Sequence, residues 1–368
     1  MKLNSIIDKI TKREWTDTLI SKYIGSYKQS WFLYAKDSDI RGNAGSGGVV
    51  TSLLKFLLDT HQIDGALVLG NWVLGNQIKP EYKIITDSKE LILFQGSKYI
   101  TTNFTHDAVP MIKAFQGNLA LVLLPCDTWV INRLRKNDPS LDKKVIFTIA
   151  LFCGHISDPE LSQVVIKKIK PLGKSLTNFR YRVGHWRGKM QFYFEDNSLI
   201  EKPFNIFSDY QNLYFFCARK CLRCSDHTGY ECDLSVGDVW LMSMKDNEIK
   251  HNAVISRTDA ATDLIIQAMQ QQILGGYPVG IELIADAQSR SLPLHYNVSA
   301  RSKAGKLLGI KIADTVHERV RLVDFLIAFI ILFNFRLSTT VKGRAFISRL
   351  PRKIIKLYLY FLKALEIL

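Results

Sequence analysis

Long apolar runs are scarce in this chain. The strongly apolar stretch Phe325–Phe333 is nine residues long between Asp324 and Asn334, well short of the roughly 20 residues that span a bilayer as a helix. The opening, MKLNSIIDKITKREWTDTLI, is polar and charged. It lacks an apolar segment followed by a small-residue cleavage site, so a secretory leader is not expected and the expected compartment is the cytoplasm. Internal repeats and low-complexity linkers are missing, which removes solenoids and propellers from consideration. No Gly-Lys-Ser/Thr closes a glycine-rich loop, so there is no Walker A site. Cysteine is sparse as well: six in 368 residues, none of them in the first 125.

Four of those six fall within sixteen residues, at Cys217, Cys221, Cys224 and Cys232, among basic neighbours. A buried structural cysteine is usually solitary and inert. In a reducing compartment, clustered thiols point to a metal or an iron–sulfur cluster rather than to disulfides. The spacing leaves several ligand sets open. Cys217-x3-Cys221-x2-Cys224 has the spacing of the radical-SAM motif, although Arg223 stands where that motif carries an aromatic residue. Cys221, Cys224, His227 and Cys232 offer a zinc quartet, but no second Cys-x2-Cys pair makes a ribbon. A third set is a 4Fe–4S cluster built from Cys221 and Cys224 with remote partners. The two remaining cysteines, Cys126 and Cys153, each follow an apolar run that reads as a strand. Ligands gather at the carboxyl ends of strands in open α/β sheets, so either cysteine is a core residue or a ligand.

The formal charge is +15, but residues 301–368 hold 14 Lys and Arg against 4 Asp and Glu, a balance of +10. The other 300 residues carry only +5. An excess confined to a tail argues against a nucleic-acid site spread over the protein. Within the tail, Pro351–Leu365 interleaves bases with aromatic and aliphatic residues, a pattern that suits a membrane surface or a partner subunit.

Residues 1–35 read as a helical, partly charged lead-in. Arg41–Gly48 is a glycine-rich turn leading into a helix at Val49–Leu58, either a plain tight turn or a phosphate site at a helix N-terminus. Continuous apolar runs at Gly65–Leu69, Leu119–Leu124 and Val145–Phe152 read as strands buried on both faces. Residues 176–199 read as a β-hairpin or meander, Ala253–Thr258 as a strand and Asp263–Ile273 as a helix. The expected fold is α/β: a mixed sheet core with flanking helices, an inserted β-meander and a helical basic C-terminal tail. Expected divisions fall at 1–39, 40–120, 121–300 and 301–368. Gly96-Ser-Lys-Tyr99 reads either as a solvated turn or as a phosphate or flavin-edge contact.

In order, these pieces resemble the beta subunits of coenzyme F420 hydrogenases and dehydrogenases, whose relatives include bacterial reductases found with surface-polysaccharide enzymes. Ala44–Thr51 is similar to the family's small-residue loop, Ile63–Val68 to its Asp-Gly strand, and Gly96–Tyr99 to its GSKY segment. Leu124-Pro-Cys126, Leu151–His155, Cys221-x2-Cys224, Asp233–Trp240 and Val254–Thr258 follow in the family's sequence. The resemblance covers about residues 40–275 and implies a flavin, FAD in preference to FMN, and a 4Fe–4S cluster, with coenzyme F420 as a substrate. It implies that Gly45, Ser46, Gly47, Gly48, Thr51, Ser97, Lys98 and Tyr99 hold the flavin. Cys126, Cys153, Cys221 and Cys224 are implied as cluster ligands, which leaves Cys217 and Cys232 spare. Many relatives begin with a cysteine-rich segment; here none exists, so a second cluster in this chain is not expected. Electrons would then pass to a redox partner protein or a small-molecule hydride donor or acceptor. His155 and Lys98 are weak candidates for proton transfer. A non-catalytic scaffold in envelope-polysaccharide assembly is the competing role.

Overall fold

The structure is a computed structural model that describes residues 14–367. Residues 1–13 of the expected helical lead-in lie outside the described residues. The part that is described holds a helix, Asp17–Tyr23, followed by a strand, β1 (Gln29–Ala35). That strand corrects the helical reading of residues 1–35. A short apolar run such as Trp31–Tyr34 does not distinguish helix from strand by itself. Pairing decides it here, because β1 lies between two antiparallel neighbours, β10 (Asn252–Ser256) and β11 (Leu274–Pro278).

The main sheet has eight strands in the order β11-β1-β10-β9-β5-β4-β2-β3. The added strands are β2 (Gly65–Leu74), β3 (Gln77–Ile85), β4 (Leu119–Leu123), β5 (Val145–Leu151) and β9 (Leu234–Asp238). Its centre, β2-β4-β5-β9, is parallel, and both flanks are antiparallel. The parallel strands are the ones that read as continuous apolar runs, because helices cover both faces there. Helix Val49–Asp59 buries Leu53, Leu54, Phe56 and Leu57 against one of those faces. The sheet is open, with β11 and β3 at its edges, and is not a barrel.

The expected meander is a separate three-stranded antiparallel sheet of β6 (Leu176–Val183), β7 (Lys189–Phe194) and β8 (Leu199–Pro203). It shares its core with the C-terminal helices. Phe179, Tyr181 and Phe192 belong to the same buried cluster as Ile327, Ile331, Leu332, Ile355, Leu359 and Leu362. The basic tail is therefore no appendage. The expected division at 301 falls inside helix Val298–Leu307, and the one at 120 falls inside β4. Helices Leu322–Ser338, Val341–Arg349 and Arg352–Ile367 complete the chain.

Candidate functional site

Parallel strands bring their carboxyl ends to one edge of the sheet, and the cysteines lie there. Cys126 sits in the first turn of helix Pro125–Arg135, directly after β4, and Cys153 follows the neighbouring β5. The segment after β5 then runs alongside the cysteine-rich segment. Cys153 N–H donates to His227 O at 2.9 Å, Asp158 N–H to Phe216 O at 2.7 Å, and Ala218 N–H to Ile156 O at 2.9 Å. Cys221 lies in the short 3-10 turn Arg219–Arg223, and Cys224 follows it. Four thiols separated by up to about a hundred residues thus meet at one corner. Burial pushes the Cys153 thiol well up, and the charges of Cys221, Cys126 and Cys224 add to that. Cys224 is raised to about 12, again mainly by burial. Among the described residues, no three His, Cys, Asp or Glu side chains enclose a single metal ion.

The other two cysteines differ: Cys217 stays at the corner and Cys232 leaves it. Cys217 is fully buried beside Cys221, whose thiol it lowers by hydrogen bonding. Cys232 points elsewhere, with Sγ 3.1 Å from Gly229 O and 3.0 Å from Leu234 O. The zinc quartet is not assembled among the described residues; the His227 ring lies instead between Cys153 O and Gln288 Oε1, each 3.1 Å from a ring nitrogen. The open mixed sheet gives no support to the barrel of the radical-SAM alternative.

A cavity of about 280 Å³ adjoins this corner. Its wall includes Gly45, Ser46, Gly48, Thr51, Ser97, Lys98 and Tyr99 together with Cys153 and His155. Two segments fifty residues apart therefore face one space. Gly45 lies so close to Ser97 that a Cβ would come within 2.4 Å of Ser97 Oγ. Ser46 Oγ donates to His251 O at 3.0 Å, which ties the loop to the approach of β10. Gly47 is the exception. It turns to the sheet, where a Cβ would meet Leu33 O at 2.7 Å and Asn252 N at 2.8 Å. Its need for glycine is one of packing, and it does not line the cavity.

Both proton-transfer candidates are committed to backbone carbonyls. Lys98 is buried and depressed to about 7 by burial, with Arg180 adding to the shift. Its ammonium donates to Phe94 O and Gln95 O at the end of the turn Ser88–Phe94. His155 is depressed to about 4 by burial, bonds through Nε2 to Gln211 O at 3.0 Å, and stacks on Tyr214 at 4.1 Å. Both residues border the cavity, and their geometry is that of braces.

The most consequential residue that sequence reasoning missed is Arg182. In Phe179-Arg-Tyr-Arg-Val183 it occupies what reads as an outward polar position, yet its side chain is 2% exposed. Its Nη1 donates to Asp238 Oδ2 at 2.7 Å and to Tyr99 Oη at 3.0 Å, and its Nη2 donates to Gly45 O at 2.7 Å. Burial opposes its charge, but Asp238 and Tyr99 more than offset that and raise its pKa. Lys250 Nζ also donates to Gly45 O, at 3.2 Å, and Arg180 holds Asn43 O at 2.6 Å. One junction thus joins the meander, the glycine loop, the GSKY segment and the Gly-Asp end of β9. The signal in the sequence was Asp238 itself, since a carboxylate at a strand end must find a partner if it is partly buried.

An α/β sheet with thiols and a glycine-lined cavity at its carboxyl edge suits a cofactor-binding redox protein as a class. The family comparison is specific. Residues 32–106 match the N-terminal model, and residues 116–277 the C-terminal model, of the coenzyme F420 hydrogenase/dehydrogenase beta subunit. The chain belongs to this family of oxidoreductase subunits. It is 25% identical over 296 residues to the coenzyme F420 hydrogenase subunit beta of Methanothermobacter thermautotrophicus, covering 77% of this chain and 98% of that one. It is 30% identical over 229 residues to the coenzyme F420-dependent sulfite reductase of Methanocaldococcus jannaschii, covering 56% of this chain and 32% of that protein. Against one of the subunits of the F(420)H(2) dehydrogenase of Methanosarcina mazei, identity is 26% and the match spans 56% of each chain, about half the relative's length. Among solved structures, a chain of the F420-reducing NiFe hydrogenase complex from Methanosarcina barkeri shares the fold. Its TM-score is 0.61 at 17% identity, over 80% of this chain and 98% of that one.

Proposed function

We propose that this chain is a flavin- and 4Fe–4S-dependent oxidoreductase subunit. It would exchange a hydride with a small molecule, coenzyme F420 being the candidate, and single electrons with a redox partner protein. One observation carries the reading: Cys153 belongs both to the four-thiol corner and to the cavity lined by Gly45–Thr51 and Ser97–Tyr99. A flavin there would lie against a cluster. The residues fit both groups. Cys126, Cys153, Cys221 and Cys224 supply four thiolates, and Lys250, Arg180 and Arg182 hold the Gly45 loop by its carbonyls, so that a glycine loop of the kind that admits a phosphate faces the cavity; FAD is the candidate flavin. When bound, the flavin supplies the exchange between two-electron and one-electron chemistry. The chain's own residues orient and shield. Arg182 clamps the loop, and His155, backed by Tyr214, walls one side, while Cys221 is buried and Cys126, Cys153 and Cys224 are half-buried. Anaerobic purification followed by iron, sulfide and flavin analysis tests the reading. A folded, colourless protein lacking all three would sink it, and so would full cofactor loading without turnover by any electron donor, which favours the scaffold role. The polysaccharide setting rests on the family's bacterial branch alone, and is tested by whether a nucleotide sugar reoxidises the reduced protein.

We further propose that the last helix docks peripherally on the inner face of an anionic membrane. It is apolar on two sides. Ile355, Leu359 and Leu362 enter the core, whereas Ile354, Leu357, Tyr360 and Phe361 face outward, Leu357 with 72% exposure. Arg352 and Lys353 flank that outward row. No single described helix is long and apolar enough to cross a membrane; Leu322–Ser338 and Val341–Arg349 form a pair bent by 106°. Flotation with phosphatidylglycerol vesicles should capture the protein, and capture should weaken with salt. Leu357→Ser with Phe361→Ser should abolish it. No flotation at low salt would overturn the proposal and leave a partner subunit as the occupant.

A further inference from the structure

Arg301 is a buried cation without a counter-charge in its hydrogen bonding. It lies on helix Val298–Leu307, beyond the residues matched by the family models, and is 1% exposed. Its Nη2 donates to Cys224 O at 2.9 Å and to His295 O at 2.7 Å. Its Nε and Nη1 have no partner at all. Two orphaned donors on a buried guanidinium are costly, because such a charge ordinarily finds an anion and a full set of acceptors. The thiols are its neighbours. Burial raises the Cys217 and Cys224 thiols, and the positive charge of Arg301 opposes that rise in part; at Cys221, lowered mainly by its hydrogen bond with Cys217, the same charge adds a smaller push. The neighbouring His227 and His295 are held neutral by burial, so they do not compete as cations.

We propose that Arg301 is a positioning residue that sets the reduction potential of the cluster, by presenting its unpartnered nitrogens and its positive charge to the thiolate-ligated group. The inference rests on the cluster reading above. A thiolate-bound 4Fe–4S cluster is anionic and gains a further negative charge on one-electron reduction. A fixed cation and N–H donors beside it favour the reduced state, since hydrogen bonds to sulfur and local charge are the protein's means of tuning. The residue acts through the cluster's surroundings and touches no substrate.

The test uses the full-length protein, purified anaerobically, with the cluster reduced by dithionite under EPR-monitored titration. Arg301→Met and Arg301→Gln should keep iron and sulfide but lose at least about tenfold in the reduction equilibrium, a negative shift of about 59 mV for a one-electron couple. Arg301→Lys should fall between them and the parent. An iron-loaded Met or Gln variant with the parent's midpoint overturns the proposal. A second measurement needs no neutral variant. Protein labelled with ¹⁵N-arginine should show nitrogen hyperfine coupling to the reduced cluster, lost in Arg301→Lys. Its absence from the parent, or its persistence in the lysine variant, overturns the proposal. A parent protein without iron and sulfide would instead defeat the cluster reading itself.

Discussion

Two buried arginines, Arg182 and Arg301, stand at the site and are treated in opposite ways. Arg182 has a counter-charge: a carboxylate, a phenol and a carbonyl take its two terminal nitrogens, the aromatic faces of Trp240 and Phe204 lie 5.0 and 5.8 Å from it, and its Nε alone has no partner. Arg301 has two carbonyls on one nitrogen and nothing on the other two. The matched arginine is a fastener whose work is finished once the chain folds. The unmatched one carries a desolvation cost that only an anion can relieve. Buried charge of the same chemistry therefore marks architecture in one place and an awaited ligand in the other.

That contrast can be broken in four ways. The largest effect is expected at the thiols. Cys126→Ser should remove most of the bound iron, whereas Cys217→Ser, nearer in sequence to the other ligands, should leave iron and sulfide close to the parent values in colorimetric assay. Iron retained in Cys126→Ser would show that the remote ligand is not Cys126, and loss in Cys217→Ser would show that Cys217 is not spare. Next is Asp238→Asn, which strips Arg182 of its counter-charge. Breaking a buried pair from one side costs about 3–5 kcal/mol, readable as a lower denaturant midpoint, and a change under about 1 kcal/mol would make Arg182 no fastener. Third, Arg301→Met in cluster-free protein should be neutral or stabilising by about 1–4 kcal/mol. A clear loss of stability there would mean that Arg301 is matched after all. The smallest effect concerns Lys98. Its pKa of about 7 in the folded chain lies below its usual 10.5, so the folded state binds fewer protons than the unfolded state between those values. Stability should then rise with pH across that window, by up to about 1.4 kcal/mol per pH unit. Lys98→Met should flatten the rise in urea titrations run from about pH 7 to about pH 9.5, inside the window between the folded and unfolded values. An unchanged slope would mean that the two carbonyls acting on Lys98 offset its burial.

What was legible in the sequence, and what was not, follows the same line. β4 and β5 could be read because strands covered on both faces must be apolar throughout, and their terminal cysteines could then be placed at one edge. The glycine loop could be read because close approaches, such as Gly45 to Ser97, admit no side chain. Both arginines were illegible. Arg182 alternates with aromatic residues as an outward strand residue would. Arg301 sits in Val-Ser-Ala-Arg-Ser-Lys-Ala-Gly-Lys-Leu, whose hydropathy suggests a solvated helix, yet Ser299, Ala300, Ser302, Ala304 and Gly305 are all buried. The small residues were the available clue, since they permit close helix packing, but the covering helix, Leu322–Ser338, lies a loop away. Strand β1 was hidden for a similar reason: its neighbours come from residues 252–278.

The segment that leads into the cysteines is strained and is held from far along the chain. Tyr214 and Phe216 have φ of 62° and 58°, a conformation that bulky residues rarely adopt without outside support. Asn334 Nδ2 donates to Leu213 O at 2.9 Å, and Phe216 N–H donates to Ser338 Oγ at 2.9 Å. Such bonds cannot form on a ribosome that has made only the family-matched part. The segment before the cysteines gains these two supports only after synthesis has passed residue 338, and a nascent chain stalled before that point would present its cysteines without them.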